Sequence, residues 1–577
     1  MGTESRKKEA SNVGKKGMKE VADTVKNDAV KKSTTKTEKS IAPKKTSAAA
    51  GTPSPAAVDA SSSIEEMAIF CKKKGFVFPS SELYGGFSGF FDFGPLGVEM
   101  FNNIKQNWWR FFVQQRENVV GIDASIISNP RTWVASGHVA TFGDLALQCG
   151  KCKKKYRADH FIEENLFIST EGLDSTKIHE LVQKNKLVCP ECKGHFAEVQ
   201  KFNLLFSTQV GPLQDSRATA YLRGETAQAM FMDFKQVAET SRQRLPFGIA
   251  QIGRCFRNEI SPRDFLFRSR EFHIAEIEFF IHPEDTGMTG AALSKEQLAQ
   301  SLRLLSAEAQ EKAEQHISLL SKKKKEAVET ETTIKKMLDE KRLDAWHAYW
   351  LAEQLNWFEK LGLDPQHLRV REQLKSELSH YSSANFDIEY HFPFGCKELA
   401  GNANRGQYDL GQHSKESKTS IQIFDEASKK NVVPRVIEPT FGMERAFLAL
   451  LFECFENDSK RGNIVLHLPP SLAPFKIAIF PLINKEGLPE LAREVYRDLA
   501  PHLVSFYDTA GSIGRRYARQ DEIGTPFCVT VDFDSLKKKD VTIRDRDTTK
   551  QIRVKIKDLR ELLRKLITGE IFFKDLI

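Results

Sequence analysis

The chain has 577 residues, enough for roughly three to five domains, and its 40% apolar and 28% charged residues are the balance of an ordinary globular protein. It holds no apolar run of the roughly 18 residues that a membrane-spanning helix needs. Its nine cysteines include two CxxC pairs, which favours metal ligands or free thiols in a reducing compartment over a disulfide framework. The net charge of +8 is uneven: residues 1–63 carry 12 Lys and 1 Arg against 7 acids, and a basic tail on a nearly neutral body suggests a polyanion partner.

The tail has no aromatic residue and is rich in Lys, Ala, Ser and Thr. It cannot bury enough apolar area to offset its ordering entropy, so residues 1–63 are expected to be largely disordered. No apolar leader core is present, and one Arg among seven acids makes a poor mitochondrial transit peptide, so a cytoplasmic location is expected. The tail serves as a nonspecific RNA-binding arm or as a passive solubiliser.

From Ile64 the composition becomes globular. Phe101, Ile104, Trp108, Phe111 and Phe112 follow helical spacing and predict an amphipathic helix. Residues 149–200 read as an insertion. Cys149-Gly-Lys-Cys152 and Cys189-Pro-Glu-Cys192 can each put two thiolates on one side of a tight turn, and two such turns complete a tetrahedral zinc site. A helix near Ser175 to Lys186 would account for the wide separation of the pairs. His160 and His195 are alternative ligands. Four cysteines leave no open coordination position, so the site is structural.

Arg254 to Ile260 reads as a strand entering a charged loop, Ser261 to Arg270, with a return strand from Glu271 to Ile281. Alternation places Arg257 and Glu259 on one face, with Gln251 and Gly253 behind them. On the return strand Glu276 and Glu278 share a face, while Ala275, Ile277, Phe279 and Ile281 share the other. Such a surface can hold a polyphosphate with arginine and an ammonium group with carboxylate. The chain has neither a Walker A loop nor a GxGxxG fingerprint, so a nucleotide site would be built from sheet arginines. Residues 285–370, rich in Leu, Ala, Glu, Lys and Gln, read as a helical insertion with Lys322–Lys325 a solvated run. From about Ala473, strand-like Phe475–Phe480, helical Pro489–Leu499, strand-like VSFYD, helix-like SIGRRYARQDEI and strand-like PFCVTVDF predict a separate α/β domain.

FRNEISPR followed by REFHIAEIEFF resembles motif 2 of the class II aminoacyl-tRNA synthetases, in the form found in glycyl-tRNA synthetases. FNNIKQNWWRFFVQQRENVVGIDASIIS and SGHVATFGD resemble motif 1 and its sequel, and YLRGETAQAMFMDF the amino-acid-binding segment. KELAGNANRGQYDL and VIEPTFGMERAFLALL resemble the later ATP-binding segment and motif 3, and SIGRRYARQDEIGTPFCVTVDF the anticodon-binding domain. The segments occur in the family's order, and the resemblance spans Ile64 to the C-terminus.

The resemblance implies an α+β fold. An antiparallel-sheet catalytic domain, 64–472, would carry a zinc-ribbon-like insertion at 149–200 and a helical one at 285–370, followed by an α/β anticodon-binding domain at 473–577. It implies a homodimer built through the motif 1 helix, tRNA and glycine as partners with no membrane, and ATP with Mg²⁺. Arg257 would contact the α-phosphate and Arg445 the γ-phosphate. Glu259 would hold the adenine amino group or position the arginine. Asn258, Arg268 and Ser269 would lie near the nucleotide. Glu398 and Leu399 would line the ATP site, with Glu398 a Mg²⁺ ligand. Glu225 and Glu276 would take the glycine ammonium, and Glu438 and Thr440 would complete the pocket floor. Refusing a methyl group by steric strain supplies about 1–3 kcal/mol. Arg515, Arg516, Arg519, Asp521 and Glu522 would read the anticodon loop.

This chain departs from the family at Gly224, usually Pro, at Thr440, often Ser, and in FGMER, where FGxGR or FGxDR is common. A noncatalytic, nucleic-acid-binding relative is the alternative. Retention of Arg257, Glu259, Glu276 and Arg445 favours an enzyme.

Overall fold

Long alternating apolar stretches in the middle of the chain pair into one nine-stranded sheet. Its strands are β1 (Val119–Gly121), β2 (Phe247–Phe256), β3 (Glu271–Ile281), β4 (Ser301–Leu305), β5 (Thr330–Thr333), β6 (Leu368–Glu372), β7 (Ala384–Phe392), β8 (Gly395–Gly406) and β9 (Arg435–Gly442). The spatial order is β5-β4-β6-β7-β8-β9-β3-β2-β1. Among the described residues of this sheet, only β1 with β2 and β4 with β6 pair in parallel. The computed structural model describes residues 62–166, 173–212, 219–285, 287, 293–315 and 327–577. The expectations for the tail before Ser62 and for Lys322–Lys325 fall outside these residues.

Helices cover the sheet on both faces. On one face lie α1 (Pro95–Trp109), α3 (Ala345–Leu361) and α5 (Met443–Cys454), around a core that includes Trp108, Phe112, Trp350, Trp357, Phe441 and Phe447. On the other face α2 (Ala227–Ser241) lays Phe231 and Phe234 onto Phe247, Ile249 and Phe280. The helix α3 is buried on nearly every side, with His347, Glu353 and Gln354 hydrogen-bonded among its apolar residues. Asp344 caps its start by accepting from the His347 amide at 2.9 Å, and Gly362, at φ +113°, ends it. The helix α4 (Tyr408–Ser417) follows β8 directly.

Two expectations change here. The outgoing strand ends at Phe256 rather than Ile260. Past that point the Asn258 amide donates to the Leu204 carbonyl at 2.7 Å and the Glu259 amide to the Arg257 carbonyl at 2.7 Å, so the chain turns out of the sheet. Arg257 and Glu259 are therefore placed by a loop, and strand alternation does not apply to them. The stretch 285–370 is not simply helical. It supplies β4, β5 and the start of β6, which extend the sheet at its far edge. In β4, Leu302 and Leu304 alternate inward, so burial overrides the helix-leaning composition.

The aromatic stripe of α1 is absorbed by the chain's own core: Phe101, Ile104, Trp108 and, in the following turn, Phe112 are all buried there. After Ala473 a second sheet forms from β10 (Ile477–Pro481), β11 (Ser505–Tyr507), β12 (Phe527–Val531), β13 (Asp540–Asp545) and β14 (Gln551–Lys555), in the order β11-β10-β12-β13-β14. The helix α6 (Ile513–Asp521) packs beside it. The strands β13 and β14 form an antiparallel extension beyond the alternating pattern read from sequence. Among the described residues no helix is long and apolar enough to cross a membrane.

Candidate active site and metal centre

The sheet register fixes one side of the candidate site. Gly401, Thr440, Glu276 and Gln251 lie in one row across β8, β9, β3 and β2. Gly401 leaves open floor beside Thr440, because a Cβ there would meet nothing nearer than 3.9 Å. Ala403 and Glu438 pair in the next row. The N-terminus of α2 points at this floor: the Thr226 amide donates to Glu276 Oε2 at 2.9 Å and the Thr226 hydroxyl donates to the same oxygen. The partial positive charge of a helix start favours a carboxylate there.

Glu225, one residue earlier, is buried and fully held. Gln228 Nε2 donates to it at 2.8 Å, His138 Nε2 lies at 3.2 Å and the Arg405 guanidinium at 3.7 Å. Ser136 Oγ fixes the other His138 ring nitrogen at 2.8 Å. Burial alone would raise the Glu225 carboxyl. His138 and Arg405 outweigh it and hold Glu225 well below the usual carboxylate range.

Glu276 is pushed the other way, upward, by burial and by Glu225, against the hydrogen bonds from Thr226. Burial pushes Glu438 up to about 8 even though Arg405 Nη1 donates to it at 2.6 Å. Arg405, 1% exposed, also makes a two-pronged pair with Asp409 at 2.8 and 2.9 Å and stacks on Tyr381 at 3.8 Å. Adjacent carboxyls with opposed shifts are a signature of functional sites.

Arg257 Nε donates to the Gly224 carbonyl at 3.1 Å, and its guanidinium lies 5.3 Å from the centroids of both Phe142 and Phe272. Glu259 is buried and accepts from Arg268 at 2.9 and 2.7 Å. Asn258 is anchored through its backbone to Leu204, and the Ser269 hydroxyl donates to the Glu271 carbonyl at 3.1 Å. Arg445 lies over Phe267 at 4.6 Å and pairs with Glu398 at 3.1 Å. Glu398 is exposed, whereas the Leu399 side chain is in the core, so only the Leu399 backbone can face a ligand. Arg257 thus borders the Glu225 segment through the Gly224 carbonyl.

The four cysteines converge, with Cys149 and Cys192 sulfurs 3.4 Å apart, Cys152 and Cys189 3.7 Å apart, and all four within 4.8 Å. The two turns are alike: Lys153 donates to the Cys149 carbonyl and Lys193 to the Cys189 carbonyl, each with a left-handed backbone at φ +61° and +56°. A Cβ on Gly194 would press on the Cys149 and Cys192 sulfurs at 3.1 and 3.3 Å. Four sulfurs and two tight turns fit a tetrahedral metal ion. His160 is engaged elsewhere, with Nδ1 2.8 Å from Arg263, and neither it nor His195 belongs to the cluster.

The insertion also touches the motif 2 loop. Asp144 stands 3.4 Å from Arg157 and 3.9 Å from Arg268. Arg157 of the insertion is therefore two contacts, through Asp144, from the Arg268 guanidinium.

Two charged residues of α6 are not available to a nucleic acid. Arg516 is buried and donates to the Pro481 and Leu482 carbonyls at 2.6 and 3.0 Å. Asp521 is buried in a two-pronged pair with Arg544 at 2.8 and 2.9 Å. Glu522 pairs with Lys74 at 2.5 Å. Arg515 and Arg519 stay exposed, with Arg519 tied to Asp508.

Sequence reasoning missed His138, Phe142, Arg405 and Asp409. The quoted segments SGHVATFGD and ANRGQYDL contain all four, but nothing in their spacing showed that they would meet at Glu225.

Comparison with known proteins identifies the family. Residues 213–455 match the family described as "tRNA synthetase class II core domain (G, H, P, S and T)" and residues 476–566 the "Anticodon binding domain". The chain is 43% identical over 509 residues to a protein of Caldanaerobacter subterraneus subsp. tengcongensis named "Glycine--tRNA ligase", covering 87% of this chain and 97% of that one. Proteins of the same name from Geobacillus thermodenitrificans and Clostridium perfringens are 41% and 40% identical, over 88% and 87% of this chain and 98% of each relative. On these matches and on its nine-stranded sheet, the chain belongs to the glycine–tRNA ligase family of class II synthetases.

Proposed function

We propose that this protein joins glycine to the 3′ end of its tRNA in two steps, through glycyl-adenylate. The observation that carries the reading is the meeting of Glu225 and Glu276 at the start of α2, across Gly224 from Arg257. The two carboxyls take the ammonium group of glycine. A glycine carboxylate oxygen attacks the α-phosphorus of ATP, and pyrophosphate leaves. No proton has to be removed from an ionised carboxylate, so the site acts by positioning and by stabilising charge.

Arg257, kept in place by two rings, neutralises the α-phosphate. Arg268, aligned by Glu259, and Arg445, aligned by Glu398, serve the rest of the nucleotide, with Asn258 and Ser269 shaping the loop and Leu399 offering its backbone. Glu398 is the exposed carboxylate suited to Mg²⁺, which supplies charge neutralisation on the phosphates when bound. Glu438 and Thr440 form the pocket floor. The tRNA 3′-terminal hydroxyl then attacks the glycyl carbonyl, and AMP leaves.

The same reading assigns residues 64–472 to the catalytic domain, with insertions at 149–200 and 285–370, and 473–577 to anticodon binding. Zinc is the ion that suits four cysteines. A homodimer and a cytoplasmic location complete it. Charging of a glycine-accepting tRNA transcript with labelled glycine tests the function. A folded protein that transfers no glycine would refute it.

A further inference from the structure

Glu278 follows Glu276 on the same face of β3 and is fully buried, with no hydrogen-bond partner on either carboxyl oxygen. Glu276, Glu278 and Glu438 bring oxygens within 4.8 Å of one another. The charged groups facing Glu278 are Glu276 on its own strand, Glu438 from β9, Arg405 from β8 and Asp409 from α4. On β2 its register partner is Ile249, and α2 contributes Phe231 and Phe234 to the apolar cluster beneath.

Arg405 is the one cation in this set, and its donors already serve Asp409 and Glu438. With Glu225, five buried carboxyls surround one guanidinium. Three carboxyls this close, out of water, cannot all stay ionised. Burial and the nearby Glu438 push Glu278 well above the ordinary carboxyl range.

We propose that Glu278 is a specificity-determining residue of the amino-acid site: it holds a proton before substrate enters and gives it up to solvent when an ammonium group arrives. The proposal rests on the glycine reading above. The exchange of H⁺ for R–NH₃⁺ leaves the pocket's charge unchanged. A substrate without an ammonium group cannot drive that exchange, and an ammonium group arriving at low pH must compete with the proton. Glu278 thereby selects charge, while Thr440 and the row beside Gly401 select size.

The test is the pH dependence of glycine use in ATP–pyrophosphate exchange from pH 6 to 8.5, with calorimetry of glycine binding in phosphate and in Tris at pH 7.5. The KM for glycine should fall as pH rises, by up to about tenfold per unit, the limit for release of one proton, while kcat changes little. The apparent binding heat should differ between the two buffers. In Glu278→Gln, or in Glu278→Leu should the first variant not fold, the KM profile should flatten and the buffer dependence should disappear. A flat wild-type profile with buffer-independent heat overturns the proton exchange. A variant with the wild-type profile overturns the assignment to Glu278. In both cases glycine-dependent exchange persists; its absence from the wild-type protein would instead refute the glycine reading.

Discussion

Replacing Arg405 with Met should unbalance the whole acid cluster. The guanidinium is 1% exposed and is the shared partner of Asp409 and Glu438, with Glu225 at 3.7 Å. Removing one partner of a buried ion pair costs about 3–5 kcal/mol, because a charge is left without compensation. Two strong pairs are lost here, which places the cost at the upper end in alkaline buffer. In acid the stranded carboxyls take up protons, and the cost shrinks.

The sign follows from linkage. Glu438 already sits at about 8 in the folded protein, against roughly 4.3 for an unfolded Glu. Raised carboxyls mean that the folded state holds more protons than the unfolded one, so stability falls as pH rises from about 4.5 toward 8. Arg405→Met raises further carboxyls, so its slope should be steeper. Urea unfolding followed by tryptophan fluorescence suits the measurement, because all six Trp lie between positions 108 and 357, outside the second sheet. The deficit relative to wild type should be larger at pH 8 than at pH 6, and glycine-dependent exchange should be lost. A deficit below about 1 kcal/mol at both pH values, or one larger at pH 6, would refute the reasoning.

Other consequences are as direct. Arg257→Ala should lower the exchange rate by about 10²–10³, the loss typical of one preorganised charge-stabilising donor, with the unfolding midpoint little changed; stopped exchange assays and urea titration measure both. Cys189→Ser with Cys192→Ser should abolish bound zinc in metal analysis of purified protein. It should also raise the KM for ATP, since the insertion reaches Arg268 through Asp144, and full activity without metal would contradict that link. Cutting the chain at Pro474 should reduce exchange as well as tRNA charging, because Arg461 donates to the Arg546 and Asp547 carbonyls and His467 pairs with Asp547 across the cut. Undiminished charging would remove the anticodon assignment.

What could be read in advance was whatever depends on local pattern. Alternation along Glu271–Ile281 placed Glu276 and Glu278 together, and the paired CxxC spacing brought four sulfurs to one point. Strand–helix alternation gave the core of the second sheet. What could not be read depends on chain paths far apart in sequence. Arg257 is aimed by Phe142 and Phe272, which no periodicity connects, and Glu259 finds Arg268 across a loop. The resemblance puts Arg516 and Asp521 among the residues that read a nucleic-acid loop, yet carbonyls at the end of β10 and Arg544 on β13 claim them. In 285–370 the helix-forming composition hid β4 and β5, whose burial is set by the sheet edge they join. Arg405 was the largest omission, because its importance lies in the acids it balances and these come from four separate segments.

The central claim is that this site activates glycine, with its ammonium held by Glu225 and Glu276. Amino-acid-dependent ATP–pyrophosphate exchange, run with each of the twenty amino acids, tests it most directly. Glycine should drive exchange, with alanine and serine far below it, and Glu225→Gln should abolish the glycine signal in folded protein. Exchange driven better by another amino acid, or none with glycine, would contradict the claim.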